Sequence, residues 1–299
     1  MISEDNAEIK RNNDLPTVAR YSVVSQASPR LTDAISLAER MHVALVSRSN
    51  GSPVFTGCDE SGKPLQGHRH AHILCESLQA LGRGEHGEIT NITIFAAMGF
   101  GHQERQALEG FSEVCGNGEE AVRLVLLGIG MREDFGGLDL TRGQCPLLAE
   151  SKSWVSRTPF VPTRHPKVTR AGVPKRDSSG LQIGSPEHEL KRLLVLSGFP
   201  EAVAVERVAS TRLGGREVAW ESFQCRRSTG EGRRAAYDRG YGFRIVFPEA
   251  VQGPVAVGYG AHFGMGGFEA RLANFDFLNV IPRSQLRGAP PQFDSKAGK

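Results

Sequence analysis

Ile89-Thr-Asn-Ile-Thr-Ile-Phe-Ala-Ala-Met98 is the clearest strand in the sequence, a run dominated by β-branched and aromatic residues and closed by Gly99 and Gly101. A helix follows from His102 to about Val114, and then a second buried strand, Ala121-Val-Arg-Leu-Val-Leu-Leu-Gly128. Working back from residue 89, His70-Ala-His-Ile-Leu-Cys75 reads as a short strand behind a turn-rich loop (Ser49–Pro53 and Asp59–Pro64). Before that loop, Ala34, Ile35, Ala38, Met41 and Leu45 recur at helical spacing up to about Arg48, with Thr32 as the expected N-cap. Val18–Ser25 has strand composition. Residues 18–129 therefore spell β-α-β-β-α-β, the order of a ferredoxin-like, RNA-recognition-type module. Such a module carries both helices on one face of an antiparallel sheet and leaves the other face open for stacking bases.

The second half repeats this order with one change. Ser153–Val161 reads as a strand, placed at an edge because of Pro159. A helix over Pro186–Leu196 is stopped by Gly198 and Pro200, and strands are expected over Ala202–Ala209, Val218–Arg226, Gly240–Phe247 and Gly253–Val257. The crossover from Arg226 to Arg239 is basic and glycine-rich where the first half has a helix. The predicted fold is α+β: two tandem ferredoxin-like (RRM-like) domains, residues 17–130 and 151–281, with a C-terminal glycine-rich loop. Residues 131–150 connect them, residues 1–16 have too little to bury to fold, and residues 282–299 read as a flexible tail.

Bulk properties exclude several classes. Of the 299 residues, 39% are hydrophobic and 23% charged, as in ordinary globular proteins. No apolar run approaches a membrane span, and the N-terminus is no signal peptide. Five scattered cysteines without C-x-x-C spacing argue against a disulfide framework or a structural zinc site and for a reducing cytoplasm. Charge is uneven: residues 151–245 hold 18 Lys and Arg against 9 Asp and Glu, while the rest hold 18 against 24. An anionic partner on the second half is the reading this supports.

Two stretches carry the candidate chemistry. In Val255-Ala-Val-Gly-Tyr-Gly-Ala-His-Phe-Gly-Met-Gly-Gly-Phe268, five glycines fall within ten residues. The long amphipathic helix of a dinucleotide fold does not follow, so a loop whose amides grip a nucleic-acid backbone fits better. Gly258, Tyr259, Gly260, His262, Gly264 and Gly266 are its candidate contacts, with packing of Tyr259 and Phe263 as the structural alternative. The other stretch, Gly67-His-Arg-His-Ala-His72, puts three imidazoles on one face of an extended segment. His70, His68 and His72, in that order, are the candidate general acid–base residues. A satisfied sheet face and a metal site are the alternatives, and no motif marks the further ligand a metal would want. Arg69, Arg164, Lys167, Arg226, Arg227, Arg233 and Arg234 are candidate phosphate contacts. His42 reads as a helix-boundary residue.

Taken together, Ser61-Gly-Lys-Pro-Leu-Gln-Gly-His-Arg-His-Ala-His72, Ala97-Met-Gly-Phe100, Arg123-Leu-Val-Leu-Leu-Gly-Ile-Gly130, Thr158-Pro-Phe-Val-Pro-Thr-Arg-His-Pro166 and Gly258–Phe268 resemble the repeat-processing RNase part of the type I-G (formerly I-U) CRISPR protein. The likeness spans roughly residues 18–270. It implies a RAMP-superfamily endoribonuclease that cleaves CRISPR repeat RNA without metal or cofactor, leaves 2′,3′-cyclic phosphate and 5′-hydroxyl ends, and stays bound to the crRNA. It implies type I effector-complex subunits as further partners. In that family this part is usually fused behind a crRNA-end-capping domain, which the 299 residues lack, so a stand-alone nuclease or a piece of a longer fusion is expected. The alternatives are a non-catalytic crRNA-binding subunit and a metal-dependent oxygenase or hydrolase using His68 and His70.

Overall fold

A computed structural model describes residues 15–25, 28–78, 87–115, 121–228 and 239–271. In the first half, β1 (Val18–Val23) leads to α1 (Ala34–Arg48), the single-turn α2 (Pro53–Thr56), β2 (His72–Glu76), β3 (Asn91–Phe95), α3 (His102–Glu109), β4 (Glu113–Val114) and β5 (Val122–Gly130). The strands form one antiparallel sheet in the order β2-β3-β1-β5-β4. Period-2 alternation sends Ala19, Tyr21 and Val23 of β1, Ile73 and Cys75 of β2, and Ile92 and Ile94 of β3 into one core with Ile35, Ala38, Met41 and Leu45 of α1. The entry to α1 differs from expectation. Thr32 lies inside a 3₁₀ turn, Leu31–Asp33, and Asp33 stands at the N-cap without a side-chain cap bond.

The opposite face of this sheet is covered over β1, β3 and β2, while Val125 and Leu127 of β5 stay exposed (50% and 53%). After the single-turn α4 (Arg132–Phe135), the chain returns across it, and Cys145, Leu147 and Leu148 pack on Val18, Leu74 and Phe95. Beneath that cover lies a polar network. Arg20 donates to Glu76 Oε2 (3.1 Å) and to the Gly143 carbonyl, Thr93 donates to Glu76 Oε1 (2.7 Å), and the Cys145 thiol donates to Glu76 Oε2 (3.2 Å). Arg20 and Glu76 are each only 2% exposed. The segment expected merely to connect thus closes the β1, β3 and β2 part of the surface that was read as a base-stacking platform.

In the second half, β6 (Glu150–Ser156), α5 (Pro186–Leu196), β7 (Ala204–Val208), β10 (Gly242–Gln252), β11 (Val255–Ala256) and β12 (Gly267–Arg271) build a second antiparallel sheet, β11-β12-β6-β10-β7. Ser185 caps α5 by accepting from His188 N, and Pro186 occupies its first turn. Trp154, Phe160, Leu190, Leu194, Phe243, Phe247 and Phe268 fill the core. β6 lies between β12 and β10 and is no edge strand. It ends before Pro159, whose carbonyl accepts from Gly266 N (2.9 Å), so the missing proline N–H costs the ladder nothing.

The expected strand over Val218–Arg226 is replaced by a hairpin, β8 (Ser210–Leu213) and β9 (Arg216–Ala219), followed by a 3₁₀ turn over Trp220–Ser222. Its two-residue loop is Gly214-Gly215, both at positive φ (57° and 73°), the backbone that a tight hairpin needs. Leu213, Trp220, Phe223, Val161 and Met265 from this half complete the core of the first, so one apolar cluster runs across both. Among the described residues, no helix is long and apolar enough to cross a membrane.

Candidate active site at the junction of the two halves

The histidine stretch turns before it becomes a strand. Gly67 (φ 85°) and His68 (φ 50°) both adopt left-handed backbone within the Gln66–His68 turn, so the side-chain alternation expected of an extended segment does not apply there. Ala71 N then donates to Val54 O (2.7 Å) and Met98 N to Arg69 O (3.1 Å), which fasten the stretch from both sides. Only His72, the first residue of β2, lies in the strand, opposite Phe95.

β2 is the edge of its sheet, and an uncovered edge presents unpaired backbone groups. The glycine loop covers it. Its 3₁₀ turn, Ala261–Phe263, is flanked by Gly260 and Gly264 in left-handed conformation (φ 72° and 79°). A Cβ at Gly264 would come within 3.2 Å of the Ile73 carbonyl, so glycine is what allows the loop to lie this close to β2. His262 Nδ1 lies 3.0 Å from the Ala71 carbonyl.

His262 is thereby the hub of an imidazole stack. Its ring lies 3.6 Å from that of His70, nearly parallel at 13°, and 3.9 Å from that of His72. Its Nε2 lies 3.3 Å from His68 Nδ1. The partners determine the tautomers. A carbonyl only accepts, so His262 carries its proton on Nδ1 and donates to Ala71, which leaves Nε2 as an acceptor for the His68 Nδ1–H. Nε2 is then the His68 nitrogen outside this contact, and His68 is exposed. This is an imidazole oriented through its second nitrogen, as a general base requires. His70 is less well placed. It is half-buried, its ring sits between His262 and the Gly57 backbone, where a Cβ would approach it to 2.8 Å, and its buried Nδ1 has no hydrogen-bond partner. The geometry therefore ranks His68 ahead of His70, reversing the order expected from sequence. His72 is buried behind both.

Burial, and then the neighbouring His68, pushes His70 down to about 4, and burial followed by His70 pushes His72 down to about 3. Burial also holds His262 well below the ordinary histidine range. Three inner imidazoles thus stay neutral near pH 7, which lets their faces stack without charge repulsion. Linkage turns this into an expected acid sensitivity. Between pH 6.5 and 4 the unfolded chain binds protons that the folded stack refuses, so stability falls as pH drops. For His72 alone the loss by pH 4 is on the order of 3 kcal/mol. Urea titrations at pH 7, 6, 5 and 4 should show this slope, and His72→Gln should flatten it. Equal slopes for both proteins would refute the buried neutral stack.

The remaining candidates divide. Gly258, Gly260 and Gly266 serve packing, as does Gly264: a Cβ at 258 would meet Phe160 and the Val161 carbonyl, one at 260 would meet Met265, and one at 266 would collide with the Val257 carbonyl. The amides of Tyr259, Ala261, Phe263, Met265, Gly266 and Gly267 all donate within the protein, so the loop is not the row of outward-facing donors that was expected. Tyr259 packs against the first core. Arg69, Arg164, Lys167 and Arg226 are exposed, whereas Arg227 is tied to Glu39 (2.6 Å). Arg233 and Arg234 lie outside the described residues. Among the described residues, no group of three or more His, Cys, Asp or Glu is arranged to hold a metal ion. Stacked ring planes do not converge their nitrogens on one point.

Sequence reading missed His42, whose ring meets the edge of Phe263 at 5.1 Å. It also gave His262 a phosphate-binding role in place of a part in the stack. Nothing local signals either contact, because 194 positions separate His68 from His262.

No family model matches the chain, and no curated protein matches it. Among solved structures, one described as an RAMP protein binding different RNA substrates aligns over 85% of this chain and 98% of its own, with 11% identity and a TM-score of 0.39.

Proposed function

We propose that this chain is a RAMP-type endoribonuclease that cleaves CRISPR repeat RNA by metal-independent acid–base chemistry at the junction of two ferredoxin-like modules. The observation that carries the reading is the imidazole cluster assembled from residues 68–72 and 262. Two separate motifs of the family resemblance meet there, with an oriented, exposed His68 at its surface. The module assignment is supported by strand order. Leaving out the short edge strands, the sheets run β5-β1-β3-β2 and β12-β6-β10-β7, the same arrangement of first, second, third and fourth strands in each. In the second module the glycine loop stands where a second helix would lie.

The chemistry follows from the side chains. His68 Nε2 takes the proton from a ribose 2′-hydroxyl, whose oxygen bonds to phosphorus while the bond from phosphorus to the 5′-oxygen breaks. The departing oxygen takes its proton from water, since His70, held neutral near pH 7, packs in the stack and has no proton to give. Exposed Arg69 flanks the site and suits the extra charge on the crowded phosphate. Incubating the purified chain with the repeat RNA of its source genome in EDTA should give one cut with a 2′,3′-cyclic phosphate. A 2′-deoxy substitution 5′ to the cut should abolish cleavage. Tight binding without cleavage would instead favour a non-catalytic crRNA-binding subunit.

A further inference from the structure

The Ala261–Phe263 turn carries two adjacent side chains with different surroundings. His262 enters the stack at β2, while Phe263 meets α1. The Phe263 ring contacts His42 and lies under the guanidinium of Arg227, whose carbon is 4.0 Å from the ring centroid. Arg227 is itself held, since its Nε donates to Glu39 Oε1 (2.6 Å) and the next amide, Ser228 N, donates to Glu39 Oε2 (2.6 Å). Glu39 is 3% exposed and lies three residues before His42, on the neighbouring turn of α1. Arg227 also lies close enough to His42 to help hold that imidazole low, after burial.

A carboxylate this deeply buried is expensive, and a well-packed apolar pair would serve stability as well or better. What a Glu–Arg pair supplies and an apolar pair cannot is direction. Its guanidinium carbon sits 4.0 Å over one aromatic ring, and the carboxylate holds the group there from a rigid helix. The short turn bearing His262 has no helix or strand of its own to set it.

We propose that Glu39 and Arg227 form a positioning clamp on Phe263 that sets the Ala261–Phe263 turn and, through it, orients His262 toward His68. The clamp is a property of the free protein, and its effect on rate rests on the RNA-cleaving reading above. Arg227 is on this view a positioning residue and not one of the phosphate contacts expected from sequence.

The test uses the full chain with Glu39→Ala, Glu39→Gln and Arg227→Lys. The readouts are single-turnover cleavage, RNA affinity and long-range ¹H–¹⁵N imidazole spectra without RNA, with His262→Gln identifying the His262 signals and exposed His102 as control. Glu39→Ala and Arg227→Lys should shift or broaden the His262 ring signals and leave His102 alone. They should cut the rate roughly 10- to 100-fold, the scale of an ångström-level misplacement, with affinity near wild type. Glu39→Gln, which keeps an acceptor for Ser228 N, should fall between. Unchanged His262 signals would overturn the clamp whatever the rate does, and a matching loss of affinity would make Arg227 a direct RNA contact instead. If the wild-type chain does not cleave, the RNA-cleaving reading fails, and the imidazole spectra still decide on the clamp. Should Glu39→Ala not fold, Arg227→Lys, which keeps the charge and removes the plane, gives the same decision.

Discussion

Replacing His68 with alanine is expected to lower single-turnover cleavage of repeat RNA at least about 100-fold while leaving RNA affinity almost intact, the usual cost of losing a positioned acid–base group. His68 is the exposed member of the cluster and its Nδ1 faces His262 Nε2, so its remaining nitrogen is the one presented to solvent and substrate. His70→Ala should cost less, about tenfold, because it removes a face of the stack and leaves the His68–His262 contact in place. Restoration by added imidazole in His68→Ala, and not in His70→Ala, would separate proton transfer from packing. Wild-type cleavage by His68→Ala would sink the assignment, and abolition by His70→Ala alone would return the leading role to His70.

The second large effect is on stability. Glu76→Ala should destabilise the fold by about 3–5 kcal/mol, because it leaves the Arg20 guanidinium buried without its carboxylate. It also removes the acceptor of the Thr93 hydroxyl and the Cys145 thiol. The double variant Arg20→Met/Glu76→Leu should recover most of that loss, since removing both charges ends the desolvation penalty. Urea unfolding of the three proteins measures this, and a Glu76→Ala midpoint close to wild type would refute it. The effect bears on the site as well. Glu76 is the last residue of β2 and His72 the first, so the network that seats one end of the strand also seats the other.

How much of this was legible in the sequence depends on the distance over which each signal acts. The strands around Ile92 and Leu124, the helices at Ala34 and Pro186, and the basic character of residues 151–245 are set by local pattern and composition. Chain order also carried the β-α-β start of each half, whereas the strand expected next in the second half, Val218–Arg226, is a hairpin strand and a 3₁₀ turn. The Gly214-Gly215 hairpin went unread, because a strand was expected only over Val218–Arg226, past the two-glycine loop. By contrast, three results needed the tertiary structure. The cover of Cys145, Leu147 and Leu148 on the first sheet has no local mark, because it is a packing choice between distant apolar surfaces. The glycines of residues 258–266 announce close approach and positive φ but not what is approached, which is the β2 edge at Gly264 and Phe160, Met265 and the Val257 carbonyl at Gly258, Gly260 and Gly266.

The histidines show the division most plainly. Sequence determined that three imidazoles crowd one short segment and that a fourth sits in a glycine-rich loop. Only the fold decided that the fourth stacks on the other three, which of them stays exposed, and which nitrogen each has left to use. The physical reason is that composition and periodicity act over a few residues. Tautomer and burial are set by whichever groups the closed chain brings within a few ångströms.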